Sequence, residues 1–422
     1  MPPSIRYSVM AEPTRLRILI VSMLYPPVAF GGYEVECSAV AERLGEHHEV
    51  LVLTSSKDRA QAGDQPGVRR ELGLPSPDPR GALRAPLAAV RAVGSARRAL
   101  EWRPDVIYVW NGAYLPQAAL RVLADSGTPL AFRVCEHWFG GLFEIDLFMR
   151  ELLPARRSPA RAVWAAGARA LNRLPSLRLE PRAPLRAAIS WNSEAIRRMV
   201  DTPSFVEPVL ERVGHSVPRY GDLYAEVVRA PLPEPNILFL GRVTPYKGVS
   251  VAIEALARLR AEHSVSAILV LVGPEDGNYG AEMRALAERL GVAEAVRWLG
   301  PVKPERIAEL LATSAALIVP STWDEPFPLV TIEAALARVP IVASDVGGIG
   351  EGMQDEEHAL LFARGDAAGA ATALARTLRE PEQTAARVRR AFERAQRMFG
   401  LGSYLDDQER FVLDALDALR AP

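Results

Sequence analysis

Cysteine and lysine are the scarcest chemically active residues in this 422-residue chain: two cysteines, Cys37 and Cys135, and three lysines, Lys57, Lys247 and Lys303. Two cysteines cannot build a disulfide framework or a thiolate metal cluster. Histidine is also rare, with six residues. No apolar run is long enough to span a bilayer; the stretch Ile18 to Leu24 is seven residues, interrupted by Ser22. A charged n-region, apolar h-region and small-residue cleavage site do not occur in that order. The expectation is a short leader to Thr14 and a cytoplasmic protein, peripheral to a membrane at most. Charge of one sign is missing too: the net charge is -1, which excludes a generic nucleic-acid binder. Aromatics are 7%, and Gly and Pro follow no collagen-like period, while 49% hydrophobic content excludes a disordered chain.

What is present fits two domains of ordinary size. Of the 50 basic residues, 47 are arginine, so each surviving lysine draws attention. The first half reads as alternating strands and helices. Apolar runs mark strands at Leu16–Val21, His48–Thr54, Asp105–Trp110, 129–134 and 186–190, with helices near Tyr33–Leu44, 83–100 and 114–125. Residues 58–80 read as a polar loop. The stretch 150–186 holds nine arginines and two glutamates. Two readings stand for it: an acceptor- or membrane-facing surface, or a solvated helical excursion. After the Pro-rich link Pro231–Pro235 the alternation restarts, with strands at Ile237–Gly241, Ala267–Val272, Val296–Gly300, Ala316–Pro320 and Pro340–Ser344. The pattern predicts an α/β chain of two Rossmann-like, doubly wound parallel-sheet domains, residues 15–228 and 229–402. The last helix, about 403–420, packs back across the first domain. Ligands in such sheets bind at the carboxyl ends of the strands, here in the cleft between the domains.

Four segments carry the chemistry. Gly241-Arg242-Val243-Thr244-Pro245-Tyr246-Lys247-Gly248 joins a buried strand to a helix. Its guanidinium fork and its compact ammonium suit a diphosphate, and the following helix N-terminus favours anions. The alternative is a pair of solvated charges in a turn. Glu325 and Glu333, eight positions apart at the carboxyl end of a strand, can bracket a polyhydroxyl ligand. Asp345-Val346-Gly347-Gly348-Ile349-Gly350-Glu351 lets backbone come close to a ligand. In the first half, Gly31 and Gly32 open a helix, where amides can face a phosphate. No GxGxxG order and no Walker lysine accompany them, which excludes ordinary dehydrogenases and P-loop NTPases.

With these segments, and with Asn192-Ser193-Glu194, the chain resembles the retaining glycosyltransferases of family 4, which have the GT-B fold. The likeness runs from about residue 16 to about 400 and is closer in the second half. It implies that Arg242 and Lys247 hold the diphosphate of a nucleotide sugar, that Glu333 accepts from the ribose, and that Glu325 and backbone near Phe327, Pro328 and Leu329 orient the sugar. It implies that Gly31 and Gly32 approach the donor phosphates and that Gly300 and Pro301 border the base. It also implies that Glu351 helps support the donor loop. The nucleotide sugar is a co-substrate, and no metal or other cofactor is called for. Arg242, Lys247 and Glu325 are the catalytic candidates.

The departures concern specificity. The family's His-Asp before Trp-Phe is Cys135-Glu136 here, followed by His137 and Trp138. Glu136, His137, Trp138, Asn192 and Glu351 are the candidate substrate contacts. Gly350 stands where the family has proline, and Pro328 where a glycine is usual. The reading is transfer of a hexose-type sugar from a UDP- or GDP-linked donor to a hydroxyl acceptor, in glycoconjugate, polysaccharide or secondary-metabolite synthesis. The alternatives are a nucleotide-sugar epimerase or hydrolase of the same fold, and a non-catalytic nucleotide-sugar-binding subunit.

Overall fold

A computed structural model describes residues 15–28, 32–57, 59–73, 79–112, 115–142, 184–230 and 232–421. The leader to Thr14, Gly31 and most of the Arg-rich stretch 150–186 lie outside the described residues. The first sheet is built from β1 (Arg17–Ser22), β2 (Glu49–Ser55), β3 (Val68–Leu72), β4 (Val106–Asn111), β5 (Leu130–Val134), β6 (Leu185–Trp191) and β7 (Val206–Val213). Its order is β3-β2-β1-β4-β5-β6-β7. The second is built from β8 (Asn236–Leu240), β9 (Ile268–Val272), β10 (Val296–Gly300), β11 (Ala316–Val319), β12 (Ile341–Ser344) and β13 (Leu360–Phe362), in the order β10-β9-β8-β11-β12-β13. Every pairing is parallel. This is the expected pair of doubly wound α/β domains, and each sheet reverses its winding beside its first strand.

Parallel strands covered by helices on both faces must be apolar throughout. β1 and β4 obey this: Ile18 to Val21 and Val106 to Trp110 are all buried. In register, Ile20 pairs with Val52 on one side and Tyr108 on the other. The edge strands do not obey it, and here the structure departs from the polar loop expected at 58–80. That stretch contains a helical turn, Arg59–Ala62, and the edge strand β3. Its sequence, Val-Arg-Arg-Glu-Leu, hides the strand because Arg70 points inward and donates to Tyr25 O (3.0 Å), Pro26 O (2.6 Å) and Gln65 Oε1 (2.6 Å). β7, another edge, carries Pro208 where its register against β6 shifts, a place where a missing N–H is tolerated.

The helix Leu401–Arg420 returns from the second half to the first. It buries Phe411, Val412, Ala415 and Leu416 along one stripe against the first sheet. Phe411, Val412 and Leu416 each contribute roughly 1.5–3 kcal/mol. Its polar anchors are Gln408, which accepts from Tyr108 Oη (2.7 Å), and Tyr404, whose hydroxyl donates to Glu36. Glu36 pairs with Arg133 at 3.2 Å, and Arg133 is fully buried. Arg133 also donates to Ser190 Oγ (2.9 Å) and Ser216 Oγ (3.1 Å). Both cysteines are buried free thiols, and burial pushes the Cys135 thiol up to about 12. Among the described residues no helix is long and apolar enough to cross a membrane.

Replacing Arg133 with methionine leaves the buried Glu36 carboxylate without its counter-charge. The expected cost is about 3–5 kcal/mol, read by calorimetry as a lower melting temperature; an unchanged transition would contradict the buried network.

Candidate active site

The carboxyl ends of both sheets face one cleft of about 590 Å³. From the first domain come Met23 after β1, Asn111 ending β4, Cys135 and Glu136 after β5, and Asn192 after β6. From the second come Gly241 and Arg242 after β8, Gly273 after β9, Pro301 after β10, Ser321, Trp323 and Glu325 to Pro328 after β11, and Leu329 and Val330 at the start of the helix Leu329–Leu336.

Lys247 ends a short 3-10 turn, Pro245–Lys247, that β8 feeds. Gly248 then takes a left-handed φ of 70°, and a Cβ there would lie 1.8 Å from Pro320 O. Only glycine lets this turn sit against the end of β11. The contact is completed by Thr322 N donating to Tyr246 O at 2.9 Å. The consequence is that Lys247 and Glu325 meet: Nζ lies 2.7 and 2.9 Å from the two carboxylate oxygens. Ser321 Oγ donates to the same carboxylate. Glu325 is 3% exposed, so Lys247 supplies the counter-charge that its burial requires. The Glu325 loop is fixed from behind, since Gly348 N donates to Glu325 O at 2.7 Å and a Cβ on Gly347 would lie 2.2 Å from that oxygen.

Arg242 lies over the Tyr246 ring at 5.4 Å and lines the cleft. Trp323 stands beside both: its ring is 5.4 Å from that of Tyr246 and 5.8 Å from Lys247 Nζ. Glu333, in the helix Leu329–Leu336, lies at the cleft wall, where loss of water pushes its carboxyl up to about 7. Glu136 is raised as well, first by desolvation and then by the charge of Glu34, against the opposing pull of Arg242 and Lys247.

The structure thus brings Gly32, Arg242, Lys247, Pro301, Glu325, Phe327, Pro328, Leu329 and Glu333 to one cleft with Glu136 and Asn192. Gly32 comes close enough to the second domain that a Cβ would sit 2.9 Å from Leu329 Cδ1. Gly300 turns the chain at the end of β10 with φ 66°, one residue before the cleft. His137 reaches across to Trp323, with ring centroids 6.2 Å apart. Trp138 is 8% exposed and packs on Phe132 and Phe139 rather than on the cleft.

Glu351 also turns away from the cleft. It accepts from Glu194 N (2.9 Å), from Ala195 N and from His215 Nε2 (3.3 Å), so a second-domain carboxylate caps a first-domain helix, Glu194–Met199. Burial alone would raise this carboxyl, but those hydrogen bonds hold it below its ordinary value. Ser193, the N-cap of that helix, donates to Pro326 O at 2.6 Å. Sequence reading misses His215, Ser321, Trp323, Glu34 and Glu36. The two acids lie on the buried side of the helix Gly32–His47, beside Cys37 and Val40.

A cleft between two doubly wound sheets, with two cations and two carboxylates on one wall, defines the class. The Glycosyl transferases group 1 family model matches residues 223–394, and the Glycosyl transferase 4-like domain model matches residues 31–176. The chain belongs to the GT-B glycosyltransferases of the GT4 type. It is 35% identical to a D-inositol 3-phosphate glycosyltransferase of Acidothermus cellulolyticus over 213 residues, 48% of this chain and about half (47%) of that relative. It is 28% identical to a glycogen synthase of Mycobacterium tuberculosis over 404 residues, 90% of each. In fold it is similar to a sucrose-phosphate synthase from Thermosynechococcus elongatus (TM-score 0.71, 20% identity, 96% of this chain and all, 100%, of that one). It is also similar to Anabaena HepE in complex with UDP-glucose (TM-score 0.65, 20% identity, 95% and 100%).

The Glu351 cap makes a separable prediction. Glu351→Gln replaces charge-assisted hydrogen bonds between the domains, each about 1.5–3 kcal/mol, with weaker ones. The radius of gyration from solution scattering should rise as the cleft opens; an unchanged value would show that the cap does not hold the domains together.

Proposed function

We propose that the protein is a retaining glycosyltransferase that moves a hexose-type sugar from a UDP- or GDP-linked donor to a hydroxyl acceptor. The observation that carries the reading is the convergence of Arg242, Lys247, Glu325 and Glu333 at the carboxyl end of the second sheet. Its similarity in fold to a protein solved with UDP-glucose supports a nucleotide-sugar donor.

In this reading the diphosphate lies against Arg242 and Lys247, with the N-terminal amides of the helix Leu329–Leu336 nearby. The bond from the anomeric carbon to the diphosphate oxygen breaks. The acceptor oxygen bonds that carbon on the same face, and the acceptor proton passes to the leaving diphosphate. Negative charge grows on the diphosphate in the transition state, so fixed cations there lower the barrier. Glu325, immobilised by Lys247 and Ser321, accepts from sugar hydroxyls. Glu333, in its ionised form, accepts from the ribose. The two carboxylates are not a glycosidase acid–base pair, because they are assigned to different parts of the donor. The reading calls on no metal and no cofactor beyond the co-substrate, and it places the enzyme in the cytoplasm.

Two measurements test it. Lys247→Ala should weaken UDP-glucose or GDP-mannose binding at least tenfold by calorimetry; unchanged binding removes Lys247 from the diphosphate site. Product analysis on the same samples separates transfer from hydrolysis and epimerisation. The second measurement is pH. The Glu333 carboxyl is raised, so its ionised form is populated above about pH 7 and lost below it. Nucleotide-sugar affinity should therefore fall by up to about tenfold between pH 7.5 and 6, and Glu333→Gln should flatten that dependence. A flat profile in the parent protein would contradict the ribose assignment.

A further inference from the structure

The first-domain wall of the cleft has a charge problem that the donor makes worse. Among the described residues, the charged side chains lining the cleft are Glu34, Glu36, Glu136, Glu325 and Glu333 against Arg242 and Lys247. Glu36 is held by Arg133 behind the wall, and Glu325 by Lys247. The cations that Glu136 feels are Arg242 and Lys247, on the opposite wall. A diphosphate bound there draws on both, and Glu136 then faces a filled anion site. Glu136 has no ion pair of its own among the described residues.

A second observation lies beside it. Val134 and Trp191 are register partners at the ends of β5 and β6, and Asn192 N donates to Val134 O at 3.0 Å. Glu136 and Asn192 therefore leave adjacent strand ends, which lie about 4.8 Å apart. Asn192 is 4% exposed, borders the cleft, and its Oδ1 accepts no hydrogen bond among the described residues. A buried carbonyl oxygen left without a donor is costly. A carboxylate and an unpartnered amide oxygen bordering one cleft from adjacent strand ends are both acceptors, which suits a ligand that brings donors and positive charge.

We propose that Glu136 and Asn192 form the acceptor subsite and select a hydroxyl acceptor that carries a protonated amine, such as an amino sugar or aminocyclitol, over a neutral or phosphorylated one. The proposal rests on the glycosyltransferase reading and names its acceptor class. The ammonium faces Glu136 and restores the charge balance that the donor diphosphate removes, while Asn192 Oδ1 accepts from the amine or a neighbouring hydroxyl. Donor-first binding follows, because the diphosphate increases the site's preference for a cation.

The test uses the full chain saturated with UDP and three probes that share one ring: glucosamine, glucose and glucose 6-phosphate. By calorimetry, glucosamine should bind at least fivefold more tightly than glucose at neutral pH, with glucose 6-phosphate weakest. Raising the pH until the amine is neutral should erase the advantage. Glu136→Gln should erase it too, while binding UDP at least as tightly as the parent, since a negative charge near the diphosphate is gone; that second readout separates selectivity from misfolding. Equal or better binding of glucose or glucose 6-phosphate overturns the proposal, as does a preference that survives Glu136→Gln or undetectable glucosamine binding to the UDP complex. Failure of the parent protein to bind either UDP or GDP overturns the nucleotide-sugar reading and this inference with it; binding of GDP alone moves the same test to the GDP complex. UDP binding without an amine preference overturns this inference alone.

Discussion

The buried guanidinium of Arg133 is the constraint around which the first domain is arranged. A cation with no solvent contact must find partners inside the fold, and the chain meets it with five groups from four elements. Glu36 comes from the first helix, Ser190 and the Trp191 carbonyl from β6, Ser216 from the segment after β7, and the Tyr404 ring from the last helix. Tyr33 in turn donates to the Arg133 carbonyl at 3.0 Å, and Glu36 and Tyr33 both line the cleft. The charge that holds the last helix in place therefore lies directly behind the cleft wall. Apolar burial supplies most of the stability of such a domain, but the charge fixes which surfaces meet.

A similar economy governs the opposite wall. Lys247 and Glu325 are far apart in sequence and meet because Gly248 and Gly347 let three loops close on one another. Each charge makes the other's position tolerable. In the proposed reading, a diphosphate and a sugar entering this site do not meet Lys247 and Glu325 as free charges. They redistribute a pair already formed, so the side chains are in place before the ligand arrives, and little reorganisation remains at the moment of reaction.

How much of this is legible in the sequence depends on what each residue is answering to. The central strands β1, β4, β8 and β9 are plain, because burial on both faces demands an uninterrupted apolar run. The edge strands are not: β3 carries two arginines, β7 carries Pro208, and β13 is three residues long. Their pairing is decided by neighbours rather than by their own pattern. At the site, Arg242 and Lys247 stand out as two cations in the turn after β8, and Glu325 and Glu333 as a pair of acids eight positions apart after β11. That Lys247 and Glu325 bind one another does not follow from a spacing of 78 residues. Glu351 shows the same limit, since its partners are backbone amides of the other domain, which no sequence motif announces. Arg133 is the hardest case: its neighbours Phe132 and Val134 read as core, and nothing local says that a cation belongs between them.

The return of the last helix has a consequence for the order in which the molecule is made. Residues 32–213 leave the ribosome before the second sheet, and the helix Leu401–Arg420 leaves after it. During that interval Arg133 and Glu36 have each other but not Tyr404, and the face that receives Phe411 and Val412 is uncovered. The first domain to be synthesised is thus the last to be finished. Its completion waits on the second domain, which makes the nascent first half the stretch of synthesis most in need of protection from aggregation.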